Sequence, residues 1–164
     1  MNITNEAYTS STRRGICWDA MSITGLLLTG YDAWNRGDRA AWLELLDPEI
    51  EIETSGVFPD LAPDYRGRER AGKFWDQMLE PWDEFHIEVE RIEEEGDVVA
   101  AGIRFRARGE DSGVEVDMRF GNGIRVRDGL AVQLLNRRTF EEAFEALRAS
   151  SRKRAAAESS KAAR

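Results

Sequence analysis

MRFGNGIRVRDG, residues 118–129, starts as an alternating strand. Running into it, Val114, Val116, Met118 and Phe120 share one face, while Glu115, Asp117 and Arg119 share the other. The next position on the apolar face holds Asn122, with a glycine on each side. Asn-Gly is a strong hairpin signal, but Asp128-Gly129 is an equally good one shortly after it. Two turns would leave only residues 124–127 as a strand between them. Keeping the second turn gives one long strand over 114–126, facing another over 130–136. Glycines inside so long a strand mark a bend or a bulge, and we favour this bent strand. On its pleat Asn122 points inward with Phe120 and Ile124. A buried amide without partners costs ~1–3 kcal/mol. Asn122 is therefore either a structural hydrogen-bonding group or the polar point of a cavity.

The preceding hairpin supports the same interior. Ile103, Phe105 and Ala107 alternate with Arg104, Arg106 and Arg108, and residues 110–113 form a turn. That turn sets Arg108 across from Glu115 and Arg106 across from Asp117. Such exposed pairs contribute little stability, but they fix the register and mark the opposite face as the inner one. One strand earlier, Phe85, Ile87 and Val89 alternate with His86, Glu88 and Glu90, which places His86 on the solvated side.

Nearer the N-terminus the period changes to that of a helix. Ile23, Leu26, Leu27, Gly30, Tyr31 and Trp34 form one apolar stripe. Gly37 closes that helix and Asp38 caps a short second one carrying Trp42, Leu45 and Leu46, which Asp47-Pro48 stops. EIEIET, residues 49–54, is a strand with Ile50, Ile52 and Thr54 on one face and Glu49, Glu51 and Glu53 on the other. A loop over 55–67 leads to a third helix over 68–80, with Ala71, Phe74, Trp75, Met78 and Leu79 inward. Thr139 and Glu142 form a capping box for a last helix striped by Phe140, Ala143, Phe144 and Leu147. The element order argues for an α+β fold, with helices on one face of a curved antiparallel sheet.

The 164 residues suit one domain with a real core. Residues 1–20 read as a flexible leader, 21–149 as the domain, and 150–164 as a disordered basic tail. The net charge is -8, and the body over 21–149 alone carries -12, because the leader balances and the tail is positive. A body so acidic repels phosphate backbones, so nucleic acid is not an expected partner. The single cysteine, Cys17, cannot form an internal disulfide, and the chain holds no apolar run of membrane-spanning length. A cytoplasmic location is expected, with no membrane partner. No metal cluster, phosphate loop, nucleophile triad or dinucleotide fingerprint is present, so neither metal nor cofactor is expected.

Several segments, AWNRGD (33–38), LLDPEIEIE (45–53), YRGRE (65–69), EPWDEF (80–85) and RDG (127–129), resemble the SnoaL-like polyketide cyclase family of the nuclear-transport-factor-2-like superfamily. The resemblance covers roughly residues 23–148. It implies a cone: a strongly curved antiparallel sheet wrapped around helices, with a central hydrophobic pocket and, in many members, a homodimer. Cyclase and isomerase members carry an aspartate in the strand before the final hairpin, and here that place is Asn122, which can still donate hydrogen bonds. The isomerase base falls on Glu53 or Thr54. Strand parity turns Thr54 inward and Glu53 outward. Dehydratase relatives use a histidine pair, and this chain has only His86. Asn122, Thr54 and Glu53 are thus the candidates for catalysis. Tyr31, Trp34, Thr54, Phe58, Trp75, Trp82 and Asn122 are the candidates for binding a small apolar ligand. For each aromatic the competing role is core packing. Arg66 and Arg68 are expected to hold their loop by hydrogen bonds. The resulting expectation is a domain that binds a small apolar molecule, with cofactor-independent isomerase, cyclase or hydrolase activity as one form. The alternative is a non-catalytic, dimeric protein-interaction module.

Overall fold

A computed structural model describes residues 22–163, so the leader over 1–20 lies outside the described residues. The chain runs α1 (Ile23–Arg36), α2 (Arg39–Glu44), β1 (Leu46–Glu53), β2 (Asp64–Arg66), α3 (Arg68–Leu79), β3 (Trp82–Glu95), β4 (Val98–Gly109), β5 (Glu115–Arg127), β6 (Leu130–Arg137) and α4 (Phe140–Ala162). The strands form one curved six-stranded sheet in the order β2-β1-β6-β5-β4-β3. Every pairing is antiparallel except that of β1 with β6, which is parallel. The expected curved antiparallel sheet is present, with this one parallel contact, because β1 enters before the meander and runs alongside its last strand.

Local signals act where the residue types predict. The Ser22 hydroxyl accepts from the Gly25 N–H at 3.0 Å and starts α1. Gly37 ends it in the left-handed region, with φ 68°. Asp38 caps α2 through the Ala41 N–H, and Thr139 caps α4 through the Glu142 N–H. The Arg68 Nε donates to the Leu46 carbonyl at 2.8 Å, tying the start of α3 to β1. The β1 strand begins earlier than expected: α2 stops at Glu44, and Asp47-Pro48 sits in an irregular stretch of the strand instead of ending the helix.

The long strand is present, and its one irregularity falls between Arg125 and Val126 and not at the glycines. Asp128 and Gly129 both have positive φ, 53° and 79°, as a two-residue hairpin requires, and β5 runs unbroken through Gly121, Asn122 and Gly123. In the β4–β5 hairpin Arg108 pairs in register with Glu115, and Arg106 with Asp117. The ion pairs run diagonally, however: Arg104 grips Asp117 with two hydrogen bonds of 2.9 and 2.6 Å, and Arg106 turns to Glu88 on β3. The Arg104 guanidinium holds the Asp117 carboxyl below its ordinary pKa.

The sheet is covered on both faces. Helices α1, α2 and α3 fill the concave side, where Trp34, Trp42, Phe74 and Trp75 pack ring against ring. On the other side α4 lays Phe140, Ala143, Phe144 and Leu147 over Val98, Ala100 and Leu135. The two glycines of β5 make that docking possible. A Cβ on Gly121 would overlap the Thr139 carbonyl, and one on Gly123 would come within 2.5 Å of the Leu147 Cδ1. Helix α4 continues to Ala162, through the segment expected to be disordered. Its alanines favour helix, and an Arg152–Glu145 ion pair of 2.6 Å links two of its turns, but residues 152–163 are exposed.

Candidate functional site

Asn122 points away from α4 into the concave side, because its neighbours Gly121 and Gly123 hold the opposite parity. It is buried, at 6% exposure. Its Nδ2 donates to the Leu135 carbonyl at 3.3 Å and to Asn136 Oδ1 at 2.8 Å. Its Oδ1 accepts the Tyr31 hydroxyl at 2.6 Å. Asn136 Nδ2 in turn donates to the Glu53 carbonyl at 3.1 Å. The result is one directed chain from Tyr31 through two amides to the backbone of β1. Hydrogen bonds arranged head to tail polarise one another. Burial pushes the Tyr31 phenol well above its ordinary pKa, so it remains protonated.

This chain borders a cavity of about 70 Å³. Tyr31, Asn122 and Asn136 supply its polar side; Trp34, Trp42, Phe58, Phe74, Phe105 and Phe120 supply its aromatic wall, with aliphatic side chains completing it. Among the described residues every lining side chain is uncharged. The volume is about half of the ~150 Å³ that accommodates benzene in a dry engineered cavity. Phe58 and Met78 are only partly buried, and Phe58 rests edge-on against Phe120 with centroids 5.2 Å apart. Leu45 is partly buried as well, and these three side chains are the walls most able to yield.

Of the residues singled out by sequence, Tyr31, Trp34, Phe58 and Asn122 lie together on this cavity. The others lie outside its lining. Thr54 is buried, but it follows the end of β1, and its hydroxyl donates to the Ala62 carbonyl at 2.8 Å. Inward parity therefore brought it to the β1–β2 loop and not to the cavity. Trp75 stacks behind Trp34 with centroids 4.0 Å apart, and Trp82 packs on Phe105. The Glu53 carboxylate faces outward and pairs with Arg137 at 2.9 Å, so only its backbone carbonyl joins the chain. His86 is exposed on β3 opposite Arg106.

Asn136 was not among the sequence candidates. A register counted from the Asp128-Gly129 turn sets Asn122 against Leu135. A shift between Arg125 and Val126 moves the partner to Asn136, and an irregularity of that kind has no sequence mark. Arg125 was also missed. Alternation reads it as a surface residue, yet α4 covers it to 2% exposure. It donates to Asp97 at 2.8 Å, to Ser151 at 2.8 Å, to the Leu147 carbonyl at 3.0 Å and to Gln133 at 3.3 Å.

Residues 29–134 match the model of the SnoaL-like domain, and the chain belongs to that family. Its fold is shared with solved structures of low sequence identity. A putative SnoaL-like polyketide cyclase from Jannaschia sp. CCS1 is 20% identical with a TM-score of 0.60, covering 69% of this chain and 82% of its own. A Mycobacterium tuberculosis protein in complex with estradiol-17beta-hemisuccinate is 20% identical with a TM-score of 0.61, covering 70% and 91%. A Catenulispora acidiphila protein with a ketosteroid isomerase-like fold, in complex with trimethylamine, is 11% identical with a TM-score of 0.63, covering 74% and 91%. Among curated proteins none matches the chain in sequence.

Proposed function

We propose that this SnoaL-like domain binds a small, uncharged, mainly apolar molecule in the cavity bordered by Tyr31, Asn122 and Asn136. The observation that carries the reading is a directed hydrogen-bond chain opening onto an aromatic-walled space. A few placed polar groups on an apolar wall are the usual makeup of a small-molecule site. The two liganded neighbours contain small molecules of very different size, and this cavity stands at the small end. A ligand beyond a few heavy atoms would enter by displacing Phe58.

The same residues argue for binding over proton transfer. Position 122 holds an amide, the Glu53 carboxylate is paired outside the cavity, and the Tyr31 phenol stays protonated. None of these places a general base in the cavity. The test is a thermal-shift screen of small terpenoid, alicyclic and aromatic compounds on the native chain and on Phe58→Ala. Stabilisation that grows with ligand concentration, and that weakens in Asn122→Ala, is the expected result. No shift across the panel in either protein would overturn the reading.

One observation favours a second reading. Trp34, Trp42, Phe74 and Trp75 pack ring against ring in the interior, as in a domain whose work is done at its surface. On that reading the domain is a dimeric interaction module. Light scattering showing a dimer, together with a silent ligand screen, would support it over the first.

A further inference from the structure

We infer that the cavity selects ligands that donate a hydrogen bond, small alcohols above all, over ligands that only accept one. The inference rests on the binding reading above and names the ligand chemistry of the same site.

Two backbone carbonyls fix the direction of the whole chain. The Leu135 carbonyl can only accept, so the Asn122 atom facing it is Nδ2. Oδ1 of Asn122 then faces the Tyr31 oxygen at 2.6 Å, and the phenol must be the donor. At the other end the Glu53 carbonyl faces Nδ2 of Asn136, so Oδ1 of Asn136 faces Asn122 as an acceptor. The two ends agree, and no amide can flip without setting acceptor against acceptor.

The consequence lies in what is left over. Tyr31 has one proton, and it is committed to Asn122. Its oxygen keeps lone pairs, as does Oδ1 of Asn122, while one N–H of Asn136 is left to donate. A hydroxyl ligand can satisfy both kinds of group. A ketone can satisfy only the last. An oxyanion would need converging donors, and Tyr31 can supply one only by abandoning Asn122 Oδ1. Among the described residues the wall carries no charge, so an ionic ligand would lose its hydration with no counter-ion in return.

The experiment compares cyclopentanol with cyclopentanone, which differ little in size. Each is titrated by NMR into the native chain and into Phe58→Ala, whose wall is opened so that size does not limit binding. We expect cyclopentanol to bind about tenfold more tightly, in line with the cost of an unmet polar group. Equal affinities, or tighter binding of the ketone, would overturn the inference while leaving the binding reading intact. Binding of neither compound to either protein would overturn the inference, and the silent ligand screen above remains the separate test of binding itself. Asn122→Leu adds a directional check. It frees the Tyr31 proton to turn into the cavity, so the preference should collapse toward the ketone. A preference that persists at full strength in a folded Asn122→Leu variant would show that the chain does not set it.

Discussion

Strand β5 buries two polar side chains only three residues apart, on opposite faces, and they are built for different ends. Arg125 sits beneath α4 with its guanidinium shared among Asp97, Gln133, Ser151 and the Leu147 carbonyl. Among the described residues four of its five N–H groups are engaged, with no cavity beside them, and it joins sheet and helix. Asn122 sits under a cavity, in a chain whose members keep lone pairs and one N–H to spare. Burial alone does not separate a structural polar group from a functional one. Unused hydrogen-bonding capacity beside open space does.

The comparison can be broken by mutation. Arg125→Met should have the largest effect on stability, about 3 kcal/mol, because it strands the buried Gln133 side chain and the buried Leu147 carbonyl at once. Urea denaturation would measure it, and small-molecule binding should be unchanged in the folded fraction. A loss of binding equal to that of Asn122→Ala would erase the distinction between the two faces.

Substitution at the second site should cost less and depend on pH. Asn122→Ala should destabilise by ~1–3 kcal/mol. Asn122→Asp sharpens the point, because the introduced carboxyl would face the Leu135 carbonyl in a buried site, and its pKa should rise. Its neutral form favours the fold. Stability should therefore be full below the unfolded pKa, about 3.9, and fall as pH rises through the folded value. A flat urea midpoint between pH 4 and 8 would mean a solvent-like site.

The smallest expected effect belongs to Tyr31→Phe, at about 1 kcal/mol near neutral pH. The folded phenol has a raised pKa, so its stabilisation is fully present below the unfolded value of about 10 and is lost as pH rises above it. The native chain should lose stability on the alkaline side of pH 10 more steeply than the variant does. Parallel alkaline limbs in the two proteins would contradict the burial of this group.

Much of this was legible in the chain. Period-two alternation through Phe120, Asn122 and Ile124 set the inner face, the Asp128-Gly129 turn set the hairpin, and Gly37, Asp38 and Thr139 marked helix ends. These are local signals, carried within a few residues. Asn136, Arg125 and the true surroundings of Thr54 were not legible. Each depends on something made elsewhere: a register shift across the hairpin, a helix laid over the back of the sheet, and a strand that ends one residue early. The helical extension past residue 150 was missed for a related reason. Its composition suits a solvated tail and a solvated helix alike, and only its continuity with the docked turns of α4 separates them.

The parallel contact of β1 with β6 also orders events in time. The meander β3 to β6 closes over short turns, whereas Ile52 meets Leu134 from the far end of the domain sequence. Closing so long a loop costs entropy that local hairpins avoid. We expect β1 to dock late in folding. Conservative truncation at Ile103 should slow folding, while Ile52→Val should act mainly on the unfolding rate; a strong effect of Ile52→Val on the folding rate would reverse that order. The Glu53 carbonyl is the last acceptor of the chain that starts at Tyr31. A molecule halted before that step would own its meander and its outer helix, yet the Asn136 amide would lack the carbonyl that orients it, and the Leu135 carbonyl alone would hold the direction of the chain.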